Sequence, residues 1–119
     1  MIYDTKKVKD SPGQRFIEPV KVCVERIDDI FSGNNIIIPL VKLDIQGYEC
    51  KALSGMQNLL KSARIVTTEV DKIMEKSFGC SQQAIAEQSA EFDIQFDRQG
   101  TGEKTPGYEV VARKRNVPL

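Results

Sequence analysis

The 119 residues contain no histidine. That absence excludes a Ser-His-Asp or Cys-His apparatus and removes the commonest general base and metal ligand, so any acid-base chemistry falls to carboxylates, Lys, Tyr or Cys. There is also no excess of charge of either sign, with 17 Lys plus Arg against 17 Asp plus Glu. Nothing is left over to neutralise a phosphate backbone or an anionic membrane, and nucleic acid is not an expected partner. The basic run Arg113-Lys114-Arg115 reads as the solvated end of a strand.

Long apolar runs are missing as well. No segment approaches the roughly 20 apolar residues that span a bilayer, and the polar opening MIYDTKKVKD lacks the apolar stretch of a secretory signal. Cysteine is scarce and odd in number: Cys23, Cys50 and Cys80, about thirty residues apart, match neither a disulfide framework nor zinc-ligand spacing. Reduced, partly buried thiols are expected, in a soluble, cytoplasmic protein with no membrane partner. The length allows one domain or part of one.

What is present has an α/β order. Residues 1–19 form an irregular lead-in with a turn at Ser11-Pro12-Gly13 and room for a short strand. Val20 to Val24 alternates as a half-buried strand does, and Arg26 to Phe31 reads as a helical turn closed by Ser32-Gly33-Asn34-Asn35. Ile36 to Asp44 is almost continuously apolar, the pattern of a strand buried on both faces of a parallel sheet, with Pro39 at its start or in the loop before it. Ala52, Leu53, Met56, Leu59, Leu60 and Ala63 then recur at helical spacing, with Gly55 inside that helix at some cost in stability. Arg64 to Val70 predicts a second buried strand. The signal from Asp71 to Cys80 is weak, and Ser81 caps a helix that ends near Phe92. Phe92 to Asp97 and Tyr108 to Ala112, joined through the turn-rich stretch from Gly100 to Gly107, predict a closing antiparallel hairpin. The domain proper spans residues 20–115, and residues 116–119 are a tail.

Chemistry concentrates in Lys42-Leu43-Asp44-Ile45-Gln46-Gly47-Tyr48-Glu49, where a strand ends on an acid, turns through a glycine and opens a helix with a second acid. Ligands of open α/β sheets bind outside the carboxyl ends of strands, where Asp44 would stand. Gly47 permits a tight turn and close backbone approach to a ligand, and Glu49 suits the positive end of a helix dipole. Glu69 ends the next strand and converges with Asp44 if the two strands are neighbours. Asp44, Glu49 and Glu69 are therefore the candidate catalytic residues. Each also has a purely structural reading, as helix cap, helix-start carboxylate and solvated strand end. The same acids suit a metal-dependent hydrolase less well, because no histidine accompanies them.

Three stretches in this order, Arg26-Ile27-Asp28-Asp29-Ile30-Phe31, Leu40-Val41-Lys42-Leu43-Asp44-Ile45-Gln46-Gly47-Tyr48-Glu49 and Leu53-Ser54-Gly55-Met56, resemble the FkbM methyltransferase domain. Thr68-Glu69-Val70 is similar to the family's next strand, and the likeness covers roughly Val20 to Val70. Gln46 stands where the family usually has Glu, which leaves an amide in place of a carboxylate. The resemblance implies a partial Rossmann-like class I methyltransferase sheet of α/β class with a carboxyl-terminal antiparallel β-hairpin. It further implies S-adenosylmethionine as cofactor, with Asp44 near it, and a methyl acceptor that is a sugar or other small hydroxylated metabolite. Nothing before Val20 reads as the strand and glycine-containing loop that open the family's cofactor half. The expectation is thus a carboxyl-terminal portion, completed by a longer product or a second chain. The alternative is a non-catalytic remnant or interaction module that pairs through an exposed sheet edge.

Overall fold

A computed structural model describes residues 2–3, 18–31, 36–99 and 107–115. The turn at Ser11-Pro12-Gly13, the stretch 32–35, most of the hairpin loop and the tail 116–119 lie outside the described residues.

The core is a four-stranded sheet. Its strands are β3 (Ile38–Lys42), β4 (Ala63–Asp71), β5 (Phe92–Gln99) and β6 (Gly107–Lys114), in the order β3-β4-β6-β5. Only β3 and β4 pair in parallel; β6 lies antiparallel to both β4 and β5. The expected hairpin is present, but its second strand inserts beside β4, so most pairings in the sheet are antiparallel. Because β6 reverses direction between them, β3, β4 and β5 still point the same way. β1 (Ile2–Tyr3) and β2 (Val22–Cys23) form a separate antiparallel pair. The Val20 to Val24 strand is therefore shorter than its alternation predicts, and exposed rather than half-buried.

Alternation sorts the long strands. Val66, Thr68 and Val70 of β4 are buried, and they stand opposite Ala112, Val110 and Tyr108 of β6. Leu53 of α2 (Glu49–Ser54), Leu60 of α3 (Gln57–Leu60), Met74 of α4 (Lys72–Phe78) and Ile85 of α5 (Gln82–Gln88) join this layer, with Met56 between α2 and α3. Each such side chain contributes about 1.5–3 kcal/mol on burial. On the other face Ile65, Thr67 and Val111 are half-buried, while Glu69, Glu109 and Arg113 are exposed.

β3 departs most from expectation. It is the edge strand of the sheet, and much of it is open: Ile37 just before it is 68% exposed and Leu40 is 55% exposed. Its apolar run matches a doubly buried strand, yet only one edge and one face find cover among the described residues. Pro39 lies inside the strand rather than before it. The Ile38 amide donates to Ser62 O at 2.9 Å, so the next residue turns its nitrogen to the free edge, where a proline forfeits no ladder bond.

The helix expected from Ala52 to Ala63 is two helices. α2 ends with Gly55 as its C-cap and α3 begins at Gln57. The break is occupied by the turn before it in sequence, α1 (Ile27–Ile30). The Asp28 amide donates to Gly55 O, and the Asp28 carboxylate accepts the amides of Asn58 and Leu59, all at 2.9 Å. Free amides at a helix start need such partners.

Two further elements follow simple capping rules. Asp71 Oδ1 accepts the Met74 amide at 2.7 Å to start α4, and Gly79 ends it with φ +68°. Ser81 Oγ accepts the Ala84 amide as expected, but α5 stops at Gln88, before the predicted end near Phe92, which opens β5 instead. Within the basic run Arg113 and Arg115 are exposed, but Lys114 is not a solvated end: it belongs to β6, and its ammonium donates to Leu60 O and Lys61 O at 2.7 and 2.6 Å. Arg115 Nε donates to Asp93 Oδ1 at 2.7 Å.

Candidate functional site

β3 delivers the chain to the loop Asp44–Tyr48 at the carboxyl end of the parallel pair. The Leu43 amide still bonds to Thr67 O at 2.9 Å, so the loop leaves a fixed strand end. Gln46 takes φ +51° and Gly47 φ +114°, two consecutive left-handed residues that reverse the chain into α2. Only glycine accommodates the second of these values without strain.

Glu49 holds that turn from inside. Its side chain is 1% exposed; Oε1 accepts the Ile45 amide at 3.1 Å and Oε2 accepts the Gly47 amide at 2.8 Å. A carboxylate at the first position of a helix is favoured by the dipole, and here it also satisfies two backbone donors of the preceding loop. Its two oxygens face the protein backbone, not the solvent.

Asp44 is exposed, and its Oδ1 accepts a hydrogen bond from the Gln46 side-chain Nε2 at 2.8 Å. The departure at Gln46 thus converts what would be a pair of neighbouring carboxylates into a donor and an acceptor. Glu69 is exposed as well. The pairing of β3 with β4 ends at Lys42 opposite Thr67; Asp44 lies two residues beyond that pair in the loop, and Glu69 two residues beyond it in β4. Glu69 does not end its strand, since β4 continues to Asp71. Asp44 and Glu69 are thus both exposed, past the last pair of β3 with β4, and Glu49 is turned inward.

The space beside Gly47 is filled by the protein itself. A Cβ there would overlap the ring of Phe78, which packs on the glycine and meets the Tyr48 ring edge-on, with centroids 5.4 Å apart. Phe78 ends α4, in the stretch whose sequence signal was weak; the Asp71 cap and Gly79 stop are the marks that define that helix. Beside this contact Cys50 and Cys80 form a disulfide, with Cα atoms 5.5 Å apart. The expectation of reduced thiols is corrected for these two. Spacing along the chain misleads because α2 and the end of α4 are brought together by the crossover between β4 and β5. Cys23 is free and exposed.

A shallow, open depression of about 610 Å³ lies at the other end of the sheet, where β4 and β5 begin, lined by Arg26, Asp28, Gln57, Lys61, Ser89 and others. Asp28 and Gln57 there are engaged in backbone bonds. Ser89 Oγ is buried without a hydrogen-bond partner. No group of three or more metal-ligating side chains occurs among the described residues. No helix among them is long and apolar enough to cross a membrane.

An S-adenosylmethionine site would need acceptors for hydroxyls or amines and an apolar wall. The loop supplies one exposed carboxylate, Asp44, and one exposed apolar side chain, Ile45, and the neighbouring strand β4 a second exposed carboxylate, Glu69. These residues fit one wall of such a site.

No curated protein and no solved structure matches the chain significantly. A sequence model of the methyltransferase FkbM domain matches residues 3–100, from the first strand pair through β5 and including the Asp44–Glu49 loop. The chain belongs to the FkbM methyltransferase domain family.

Proposed function

We propose that the chain takes part in S-adenosylmethionine-dependent methyl transfer to a hydroxyl oxygen of a sugar or other small metabolite. In this reading its sheet is the carboxyl-terminal portion of a Rossmann-like methyltransferase sheet. The observation that carries the reading is Asp44, in a chain of this family: an exposed carboxylate at the end of β3, on a loop that Glu49 fixes from below. Bound cofactor supplies an electrophilic methyl group whose departure leaves a neutral thioether. Asp44 then orients the acceptor hydroxyl or takes its proton as oxygen bonds to the methyl carbon, and Glu69 holds a neighbouring hydroxyl.

The open edge of β3, with Ile37 and Leu40 exposed, supports a second component of the proposal. A further strand-bearing segment, from a longer product or a second chain, covers this edge and supplies the rest of the cofactor site. The rival reading keeps the pairing edge and drops catalysis, leaving an interaction module.

Calorimetric titration of S-adenosylmethionine into the purified chain, with circular dichroism as a check on folding, separates the readings. Saturable binding that weakens at least tenfold in Asp44→Ala supports the cofactor site. A folded chain that binds none overturns cofactor binding by this chain alone and agrees with a site completed by the segment that covers β3.

A further inference from the structure

We infer that the Cys50–Cys80 disulfide is a redox-operated clamp that holds the end of α4 over the Asp44–Tyr48 loop. The two sulfurs sit on either side of one contact. Cys50 is the second residue of α2 and directly follows Glu49, the residue whose carboxylate binds the Ile45 and Gly47 amides. Cys80 follows Gly79, the left-handed residue that ends α4, and Phe78 just before it packs on Gly47 and Tyr48. The bond therefore fastens the covering ring to the loop it covers. The Phe78 side of the contact is a partly exposed ring, and the Asp71 cap and buried Met74 that tie α4 to the sheet lie toward its other end.

The burial of the two cysteines sets the route of opening. Cys80 is wholly buried, whereas Cys50 is half-buried. A thiolate of a small dithiol reductant attacks the Cys50 sulfur, the S–S bond breaks, and the Cys80 sulfur leaves with the electron pair and is protonated. The second thiol of the reductant then displaces Cys50 from the mixed disulfide. The net change is one protein disulfide plus one dithiol giving two protein thiols plus one oxidised reductant. Opening leaves Phe78 held by packing and Gly79 by its own amide bond to Glu75 O at 2.9 Å, with no covalent tie to α2. In a reducing compartment the loop that presents Asp44 is uncovered; under oxidation it is fastened. The inference concerns the loop and does not rest on methyl transfer.

The test is residue-resolved amide hydrogen exchange on the full chain carrying Cys23→Ser, which removes the free thiol as a competing partner. Oxidised protein, protein in dithiothreitol, and the Cys50→Ser/Cys80→Ser variant are compared. Exchange at Ile45, Gly47 and Tyr48 should be at least about tenfold faster in the reduced protein and in the double variant. The amides of Val66 and Val110 in the sheet should change less than twofold, and reoxidation should restore protection. Unchanged exchange at the loop overturns the clamp. So does an equal acceleration throughout the chain, including outright unfolding on reduction, since the bond is then a staple of the whole fold.

Discussion

Asp28 and Leu59 are joined by a hydrogen bond from the Leu59 amide to the Asp28 carboxylate, 2.9 Å long and spanning 31 positions of sequence. With the Asn58 amide on the other oxygen and the Asp28 amide on Gly55 O, one residue closes both sides of the break between α2 and α3. Asp28→Ala should lower stability in urea denaturation by about 1–2 kcal/mol, and Asp28→Asn, which keeps one acceptor, by less.

Glu49→Gln should be nearly as damaging as Glu49→Ala. The amide places an NH₂ group against a backbone donor that now meets a carboxylate oxygen, and a buried unsatisfied donor costs about 1–3 kcal/mol. Thermal denaturation measures the loss, and the amide resonances of Ile45 and Gly47 should move most.

Two glycines with positive φ should respond differently to alanine. At Gly79 nothing lies within 4 Å of the added methyl, so only the left-handed backbone resists, at about 1–2 kcal/mol. At Gly47 the methyl meets Phe78 in addition, and the loss should exceed about 2 kcal/mol. Phe78→Ala combined with Gly47→Ala should recover the steric part but not the conformational part, as read from denaturant midpoints.

Lys114 reaches the last carbonyls of α3 while its side chain lies against Phe92, with the ammonium 5.3 Å from the ring centroid. Lys114→Met keeps the apolar stem and removes the donors. It should cost about 1–3 kcal/mol, with the largest gain in hydrogen exchange in the turn from Lys61 to Ser62.

Local signals on the chain were readable where short-range chemistry decided the outcome. Ser81 as a cap and the reversal at Gly47 depend on residues within four positions of each other, and the terminal hairpin on two alternating stretches around one turn-rich segment. Reading failed where a distant partner decided. Gly55 looked like a tolerated flaw in one helix because Asp28, which occupies the break, lies far upstream. Cys50 and Cys80 looked unpaired for the same reason, and Lys114 looked solvated because the carbonyls it binds belong to another element. β3 misled in the opposite sense: its apolar run describes the surroundings it is suited to, and the described residues cover only part of it. At the candidate site the strand-turn-helix pattern singled out Asp44 and Glu49, and the following strand Glu69. Their division, two outward and one inward, depends on where the loop's own amides point, which no spacing rule conveys.

Pro39 gives the open edge of β3 a further property. Edge strands are templates on which identical copies stack, and a row of evenly spaced backbone donors is what makes such stacking propagate. With a proline nitrogen facing outward, that row has a gap two residues into the strand, and the exposed Ile37 and Leu40 flank it. Pro39 is in this sense a gatekeeper: it denies an apolar edge the regular ladder on which aggregation would grow.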